Sequence, residues 1–319
     1  MPEPAAATTP PDRVRRRAFG PIARSGEPAR RARSAAVLLL GALAGLPPAS
    51  AAQSSDSSPA SAIATIVDGA AHVVRDATRH PLGEGARLRA DDIVDVAAGA
   101  WARMEFAGGA IVDAGPGTQL MVAPRGVSAH GARTALAYVL RGSAKLSVSG
   151  GAAGIVTPHV EVSETAGTAV CTVSAAATEL FAESGPARGR DRVANAAFAL
   201  APGEFLNRPA HGKPATAKRP SADFLDALPR PFRDTIPAHA ARFAGRDVPL
   251  RPGAAVSYSD VEGWMRAEPA LRRGFVARWR VRLADPSFRA AVQSGLRLHP
   301  EWGPALEPPP NPGGSRSGG

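Results

Sequence analysis

Residues 101–122 read WARMEFAGGAIVDAGPGTQLMV, and this stretch decides the fold class. In its first six residues Ala102, Met104 and Phe106 are apolar and alternate with the charged Arg103 and Glu105. This alternation predicts a strand with one buried face and one face in water. Glycines at 108–109 and at 115 and 117 predict two turns. We therefore expect three strands, at 101–106, 110–113 and 119–122, that form a meander.

Short apolar runs separated by Gly, Pro or Asp continue on both sides of this stretch, from residue 62 to about residue 208. They predict further strands at 63–67, 71–74, 93–96, 136–140, 145–148, 160–162, 169–173, 179–182 and 198–200. No long helical pattern interrupts them before residue 221. The pattern predicts a mainly β fold, either a β-sandwich or a rolled antiparallel sheet, over residues 62–208.

The composition sets limits on function. The chain has 319 residues with 33 glycines and 31 prolines, so much of it is turn and linker. Its single cysteine, Cys171, cannot form an internal disulfide or a cysteine-rich zinc site, and we expect it to be a buried apolar residue of its strand.

At Gly167-Thr168 we expect a turn in which the glycine has a positive φ.

The first 52 residues have the order of a secretory signal peptide. Eight arginines precede an apolar run from Ala35 to Leu46, and small residues at 49–52 follow two prolines. We expect cleavage near Ala52, export to the periplasm, and a solvated linker at 53–61; an uncleaved signal anchor and a degenerate twin-arginine signal are the alternatives. The run is shorter than the ~20 residues of a membrane-spanning helix.

A second linker, at 209–220, is rich in Pro, Ala, Gly and Lys and precedes a helical module at 221–306. Ser221 is an expected N-cap, and a helix restarting near Pro231 is expected to reach about Phe243. Ser259 to Glu262 is an expected capping box. Later helices are expected to begin at Pro269 and Pro286, and residues 307–319 are expected to be a disordered tail.

The apolar side of these helices predicts a small core of their own. Leu271, Phe275, Trp279 and Leu283 recur at four-residue steps. Three of the four tryptophans, Trp264, Trp279 and Trp302, lie in this module and are expected in its core. The spacing therefore predicts a helical module that packs around tryptophan and could fold separately.

The net charge of +10 is unevenly distributed. Residues 52–218 hold fifteen basic and fifteen acidic residues, whereas residues 219–319 hold fifteen basic and ten acidic. Arg273, Arg278, Arg280 and Arg282 belong to a set of arginines opposite the apolar stripe. They are either a solvated face or a binding face for an anionic envelope component, namely phospholipid, lipopolysaccharide phosphate or cell-wall carboxylate, and nucleic acid is not an expected partner.

Motifs for catalysis and cofactors are absent from the sequence. It has no dinucleotide fingerprint, P-loop, GxSxG or HExxH string, and its seven histidines are scattered, so no metal and no cofactor is expected. Asp91-Asp92 with Asp95, or Glu161 with Glu164, could form carboxylate pairs for acid–base work or calcium. Acidic residues at turns explain them more simply.

The order of several short motifs resembles the FecR-type periplasmic domain over about residues 62–208. The residues that carry the resemblance are Gly85-x-x-Leu88-x-x-Asp91-Asp92-Ile93-Val94, the stretch from Gly99 to Val112, Leu140-x-Gly142-Ser143-Ala144, Val156-Thr157-Pro158 and Gly167-Thr168. The resemblance implies an all-β envelope domain that senses a partner and brings no catalytic residues. Because 34 residues precede the apolar run, we expect no cytoplasmic anti-sigma segment.

Two functional interpretations remain open on the sequence alone. The first is a non-catalytic interaction or sensing module of the cell envelope, which binds an envelope protein or an anionic envelope component. The second is a cell-envelope hydrolase whose site is assembled from residues distant in sequence. A concave site that gathers Glu105, Asp113 or a histidine would favour the hydrolase, whereas an exposed apolar or basic patch would favour binding.

Overall fold

A computed structural model describes residues 61–127 and 135–307. The expected signal peptide, most of the first linker and nearly all of the expected tail lie outside these residues. The strands are β1 Ala62–Asp68, β2 Ala71–Arg75, β3 Thr78–Pro81, β4 Arg87–Leu88, β5 Ile93–Val96, β6 Trp101–Phe106, β7 Ala110–Ala114, β8 Gln119–Val122, β9 Ala137–Val156, β10 Val160–Val173, β11 Ala177–Ser184, β12 Ala187–Asp191, β13 Ala196–Leu200, β14 Phe205–Pro209, β15 Ala215–Ala217 and β16 Ala254–Ala255. The helices are α1 Ala222–Ala227, α2 Arg230–Arg233, α3 Tyr258–Met265, α4 Pro269–Trp279, α5 Pro286–Ser294 and α6 Gly303–Leu306.

The strands form one curled antiparallel sheet, which confirms the predicted mainly β class with a small helical part at the C-terminal end. The longest run of neighbouring strands is β15-β14-β11-β10-β9-β8-β5-β2-β3-β16. Two long strands make the sheet curl, because each changes partner along its length. β9 pairs first with β8 and then with β7, and β10 pairs first with β12 and then with β11.

The predicted meander at 101–122 is wrong, although its three strands exist. β6 and β7 form the expected hairpin, but β8 pairs with β5 and β9 rather than with β7. Gly142 lies where β9 passes from β8 to β7. Its φ is +94°, and a Cβ there would lie 2.5 Å from Thr118 Cα, so only glycine permits this close crossing.

Several shorter predictions need correction. Gly167 has the expected positive φ of +113°, but it lies within the continuous strand β10 rather than at a turn. The predicted second linker contains β15, which pairs with β14. The helix expected to reach Phe243 ends at Arg233, and a single 3₁₀ turn occupies Ala240–Phe243.

The helix caps follow simple side-chain chemistry. Ser221 Oγ accepts a hydrogen bond from Phe224 N at 3.2 Å, as predicted. The capping box lies two residues earlier than expected: Ser257 Oγ accepts from Asp260 N, and Asp260 Oδ2 accepts from Ser257 N. Two serines two residues apart each have an acid three residues later, and the chain uses the first pair.

Both faces of the central strands are buried. Val73 and Leu120 point into the core of the curled sheet, whereas their neighbours Val74 and Met121 pack against the helices with Trp264, Trp279 and Trp302. The helical segment therefore shares a core with the sheet, and the expectation that it folds on its own does not fit this packing. The described helices include none long and apolar enough to cross a membrane.

Candidate functional site

A cleft with a volume of about 600 Å³ lies between α4 and the turns of the sheet. We call it the arginine cleft, because its lining includes Arg75, Arg89, Arg125 and Arg278 together with Asp76, Asp91 and Asp92. The backbone of α4 approaches it at Gly274 and Ala277. Four guanidinium groups against three carboxylates make the cleft a polar surface with an excess of positive charge.

One ion pair forms the inner wall of the cleft. Arg75, at the end of β2, donates from Nε to Asp92 Oδ1 at 3.0 Å and from Nη2 to Oδ2 at 2.6 Å. Asp92 Oδ2 also accepts from the backbone N–H of Arg89 at 2.8 Å. A two-point contact of this kind fixes the plane of the guanidinium group. The pair therefore holds the β2 end and the turn before β5 in one geometry.

Arg278 connects α4 to the same turns through main-chain carbonyl groups. Its Nη1 donates to Asp91 O at 2.7 Å, its Nη2 to Val74 O at 2.6 Å and its Nε to Asp76 O at 3.1 Å. Burial lowers the pKa of Arg278, but a guanidinium group stays protonated in proteins. With its N–H groups engaged in this way, Arg278 positions the helix rather than facing solvent.

Arg125 forms the outer rim of the cleft and is 77% exposed. Its Nε donates to Asp91 Oδ2 at 2.5 Å, and its backbone N–H donates to Asp91 Oδ1 at 2.7 Å. The neighbouring carboxylate raises the pKa of Arg125. In this arrangement the backbone φ of Asp91 is +67°. The rim therefore presents an ordered and accessible guanidinium group.

The four arginines predicted as a binding face do not share one surface. Arg273 and Arg280 are exposed, whereas Arg278 is bound as described and Arg282 donates to Val256 O at 2.7 Å and to Asp285 at 2.7 Å. Arg280 lies just beyond the end of α4. Arg273 lies one residue before Gly274, which lines the cleft, and its Nε donates to Pro269 O at 3.0 Å. A binding role for this face stays a prediction.

A second polar group lies on β6, β7 and β9, and it corrects the expectation that Arg103 and Glu105 face water. Arg103 and Glu105 are only 4% and 5% exposed, and Asp113 is 1% exposed. Arg103 Nε and Nη2 donate to the two oxygens of Asp113 at 2.7 and 2.9 Å. Lys145 on β9 lies beside them and is also buried. We call these four residues the charged strip.

Residues 229–243, which we call the strap, cover the charged strip. Arg103 Nη1 donates to the carbonyl groups of Ile236 and Pro237 at 2.7 and 3.1 Å. Glu105 accepts from the backbone N–H groups of His239 and Ala240 at 2.7 and 2.9 Å. Burial raises the pKa of Asp113, and the adjacent Arg103 opposes this shift. These contacts therefore run from charged side chains to main-chain groups of the strap.

The other candidates from the sequence are placed as follows. Asp91 and Asp92 meet in the arginine cleft, but each is bound to an arginine. Glu164 is exposed and 3.8 Å from Arg188. Cys171 is buried as expected, and burial raises the pKa of its thiol to about 12. Within residues 61–127 and 135–307, no group of three or more His, Cys, Asp or Glu side chains is arranged to hold a metal ion.

Comparison with known proteins yields a weak structural likeness. No protein-family model matches the chain, and no curated protein matches it. Two crystal structures of a Parabacteroides distasonis protein, provisionally named as an anti-sigma factor, are similar to 40% of this chain at 13% and 12% identity, with TM-scores of 0.33 and 0.32. The similar region spans 59% of that protein's chain. A likeness at this level carries no inference about function.

The sequence reasoning did not find the cleft's three other arginines. Arg75, Arg89 and Arg125 belong to a segment whose summed charge is neutral, so counting charges conceals them. A local signal exists, because each lies within three residues of an aspartate or in a Pro-Arg-Gly turn. Such turns position charged side chains at the edge of a sheet.

Proposed function

We propose that the protein is a non-catalytic binding protein of the cell envelope, in which the curled sheet is the scaffold and an anionic envelope component is the ligand. The observation that carries this proposal is the arginine cleft with its exposed rim at Arg125. Arg273 and Arg280 extend the basic surface along the exposed side of α4 and the turn that follows it. Phosphate and carboxylate groups are the ligands that fit planar guanidinium groups.

The wall of the cleft is held in place before any ligand arrives, and the part that an anion would meet is the exposed rim at Arg125. Asp92 fixes Arg75, and three carbonyl groups fix Arg278. An anion that reaches the rim would contact Arg125, whose carboxylate partner Asp91 leaves most of the side chain in solvent. Prior ordering of the arginines reduces the entropy that binding costs.

The hydrolase interpretation gains no support from the carboxylates that would have favoured it. Glu105 and Asp113 lie beneath the strap and are bound to Arg103, to Thr65 and to main-chain N–H groups. They are therefore not placed where a substrate and a water molecule could meet them. Among residues 61–127 and 135–307, those that line the arginine cleft include no histidine.

The proposal includes a FecR-like character and export, which rest on the sequence. The ordered motifs between Gly85 and Thr168 support a FecR-type sensing or interaction domain, and the basic and apolar leader supports export with a mature N-terminus near Ala52. A protein of this kind would meet phospholipid, lipopolysaccharide or cell wall in the periplasm.

Sedimentation with three separate anionic materials tests the proposal. The chain from Ala52 onward is mixed with phosphatidylglycerol vesicles, lipopolysaccharide aggregates or cell-wall sacculi, and with neutral phosphatidylcholine vesicles as the reference. The proposal predicts that one anionic material pulls the protein down and that neutral vesicles do not; the three arms distinguish a lipid phosphate, a saccharide phosphate and a wall carboxylate.

Two double variants make the result specific. Arg125→Glu with Arg273→Glu should abolish sedimentation, whereas the matched control Arg242→Glu with Arg246→Glu, two exposed arginines elsewhere, should retain it. Both variants change the net charge equally. Equal binding by the two variants, or binding to none of the three anionic materials, contradicts the proposal.

A further inference from the structure

The charged strip is an unusual way to fasten a loop to a sheet. Burying ionised side chains carries a desolvation cost, and apolar side chains of similar size often stabilise a buried contact as well or better. Here Arg103, Glu105, Asp113 and Lys145 are all at most 8% exposed. Stability alone therefore does not explain why four charged side chains are buried here. The groups that these side chains contact suggest another reason.

The charged strip forms hydrogen bonds with main-chain groups of the strap. Arg103 contacts two successive carbonyl groups, those of Ile236 and Pro237, and Glu105 contacts two successive N–H groups, those of His239 and Ala240. Lys145 Nζ donates to the carbonyl group of Phe232 at 2.5 Å. Main-chain contacts of this kind let a site hold an extended polypeptide with little regard to its sequence.

The strap itself is seated like a bound peptide. Residues 234–239 have no regular secondary structure, and Asp234, Thr235, Pro237 and Ala238 are exposed on the outer side. Its two ends rest on glycines: a Cβ at Gly115 would lie 2.8 Å from Pro229 Cγ, and one at Gly85 would lie 2.8 Å from Phe243 Cδ1. The groove thus has room at its two ends for the side chains of Pro229 and Phe243, and it holds charged groups in its centre.

We propose that the charged strip is a binding site for an extended polypeptide segment, that the strap occupies it in cis, and that a partner protein's segment takes the strap's place. The segment it fits offers two successive carbonyl groups followed, after one intervening residue, by two successive free N–H groups, as residues 236–240 do. This site is separate from the arginine cleft and its ligand is a polypeptide, so the proposal goes beyond the anion binding proposed above.

A peptide added in trans tests the proposal. The probe is a fluorescein-labelled synthetic peptide of residues 229–243, and its binding is measured by fluorescence anisotropy. The receptor is the chain from Ala52 onward in two forms, the natural sequence and a variant in which residues 235–238 are all replaced by glycine. Glycines raise the entropy of the released strap and so weaken its closure in cis.

The proposal predicts that the four-glycine variant binds the peptide at least about tenfold more tightly than the natural chain, because the site is open more of the time. Adding Glu105→Gln to that variant should weaken binding about tenfold. One of the two carboxylate oxygens becomes an NH2 group, which cannot accept a hydrogen bond from an N–H. The matched control Glu179→Gln changes a carboxylate on β11 that accepts from Thr172, and it should leave binding unchanged.

Two peptide variants test main-chain recognition. A peptide with alanine at positions 235 and 236 should bind like the natural peptide, whereas one with an N-methyl group on Ala240 should lose most of its affinity. Peptide binding that is no tighter to the four-glycine variant, or that ignores both Glu105→Gln and the N-methyl group, overturns the proposal.

A measurement on the natural chain covers the case in which the four-glycine variant does not fold. Hydrogen exchange is followed in residues 229–243 of the protein with and without a large excess of the labelled peptide, whose label separates its mass from that of the protein's own segment. Displacement predicts faster exchange of the strap's amides when peptide is present. Unchanged exchange overturns the proposal.

Discussion

Replacing Trp279 with alanine tests whether the helices and the sheet form one cooperative unit. Trp279 is fully buried, stacks on Phe275 with ring centroids 4.5 Å apart, and donates from Nε1 to Asp76 O at 2.8 Å. Truncating a buried tryptophan to alanine costs about 3–5 kcal/mol. Loss of the hydrogen bond adds about 1 kcal/mol, so we expect a loss of about 4–6 kcal/mol in the free energy of unfolding.

The assay is urea denaturation followed by far-ultraviolet circular dichroism and by tryptophan fluorescence. Because Trp279 connects α4 to the turn between β2 and β3, both signals should move to lower urea together and remain coincident. Trp101→Ala is the control, since Trp101 is only partly buried on β6 and donates to an exposed partner, Asp68; it should cost clearly less. A loss below about 1.5 kcal/mol for Trp279→Ala, set against the usual range for such truncations, or separate transitions for the two signals, would refute this reasoning.

Three further predictions concern the buried ion pair, acid stability and export. Arg103→Leu should lower the free energy of unfolding by about 3–5 kcal/mol in urea denaturation, because Asp113 is left buried without its partner, and Arg103→Leu with Asp113→Leu should recover part of it; a single change that costs nothing would contradict the burial of the pair. Burial lowers the pKa of His299 from its ordinary 6.5. Stability should therefore be full above pH 6.5 and fall as the pH drops towards the lowered pKa, because the unfolded chain binds the proton first. His299→Gln should make the melting temperature less sensitive to acid, and an unchanged acid profile would count against this prediction. Intact-mass analysis of the periplasmic fraction should find an N-terminus near Ala52, and protein that keeps Met1 in the cytosol would contradict export.

Local periodicity found the strands because burial of alternate residues is a short-range property. Ala102 and Met104 are fully buried, as their spacing predicts. The same reasoning placed Arg103 and Glu105 in water, because charged side chains usually lie there. Their partners in the strap are more than 130 positions further along the chain, and no local pattern carries that information.

The arginines show the same limit at the candidate site. Four-residue spacing correctly separated the apolar stripe of α4, including Phe275 and Trp279, from its polar side. It could not tell that Arg278 would lie over three carbonyl groups of the sheet while Arg273 remained exposed. That difference depends on where the sheet's turns lie against the helix, which is a property of the tertiary fold.

The dependence of anion binding on salt tests the central claim most directly. The affinity of the chain from Ala52 onward for the anionic material that retains it is measured by titration as salt rises from about 0.1 M to about 1 M, a range over which the Debye length shrinks from ~10 Å to ~3 Å. If the exposed arginines at 125, 273 and 280 carry the interaction, the affinity falls steeply, and Arg125→Glu with Arg273→Glu removes most of what remains. Affinity that is indifferent to salt, and equal in the natural chain and the double variant, would contradict the account.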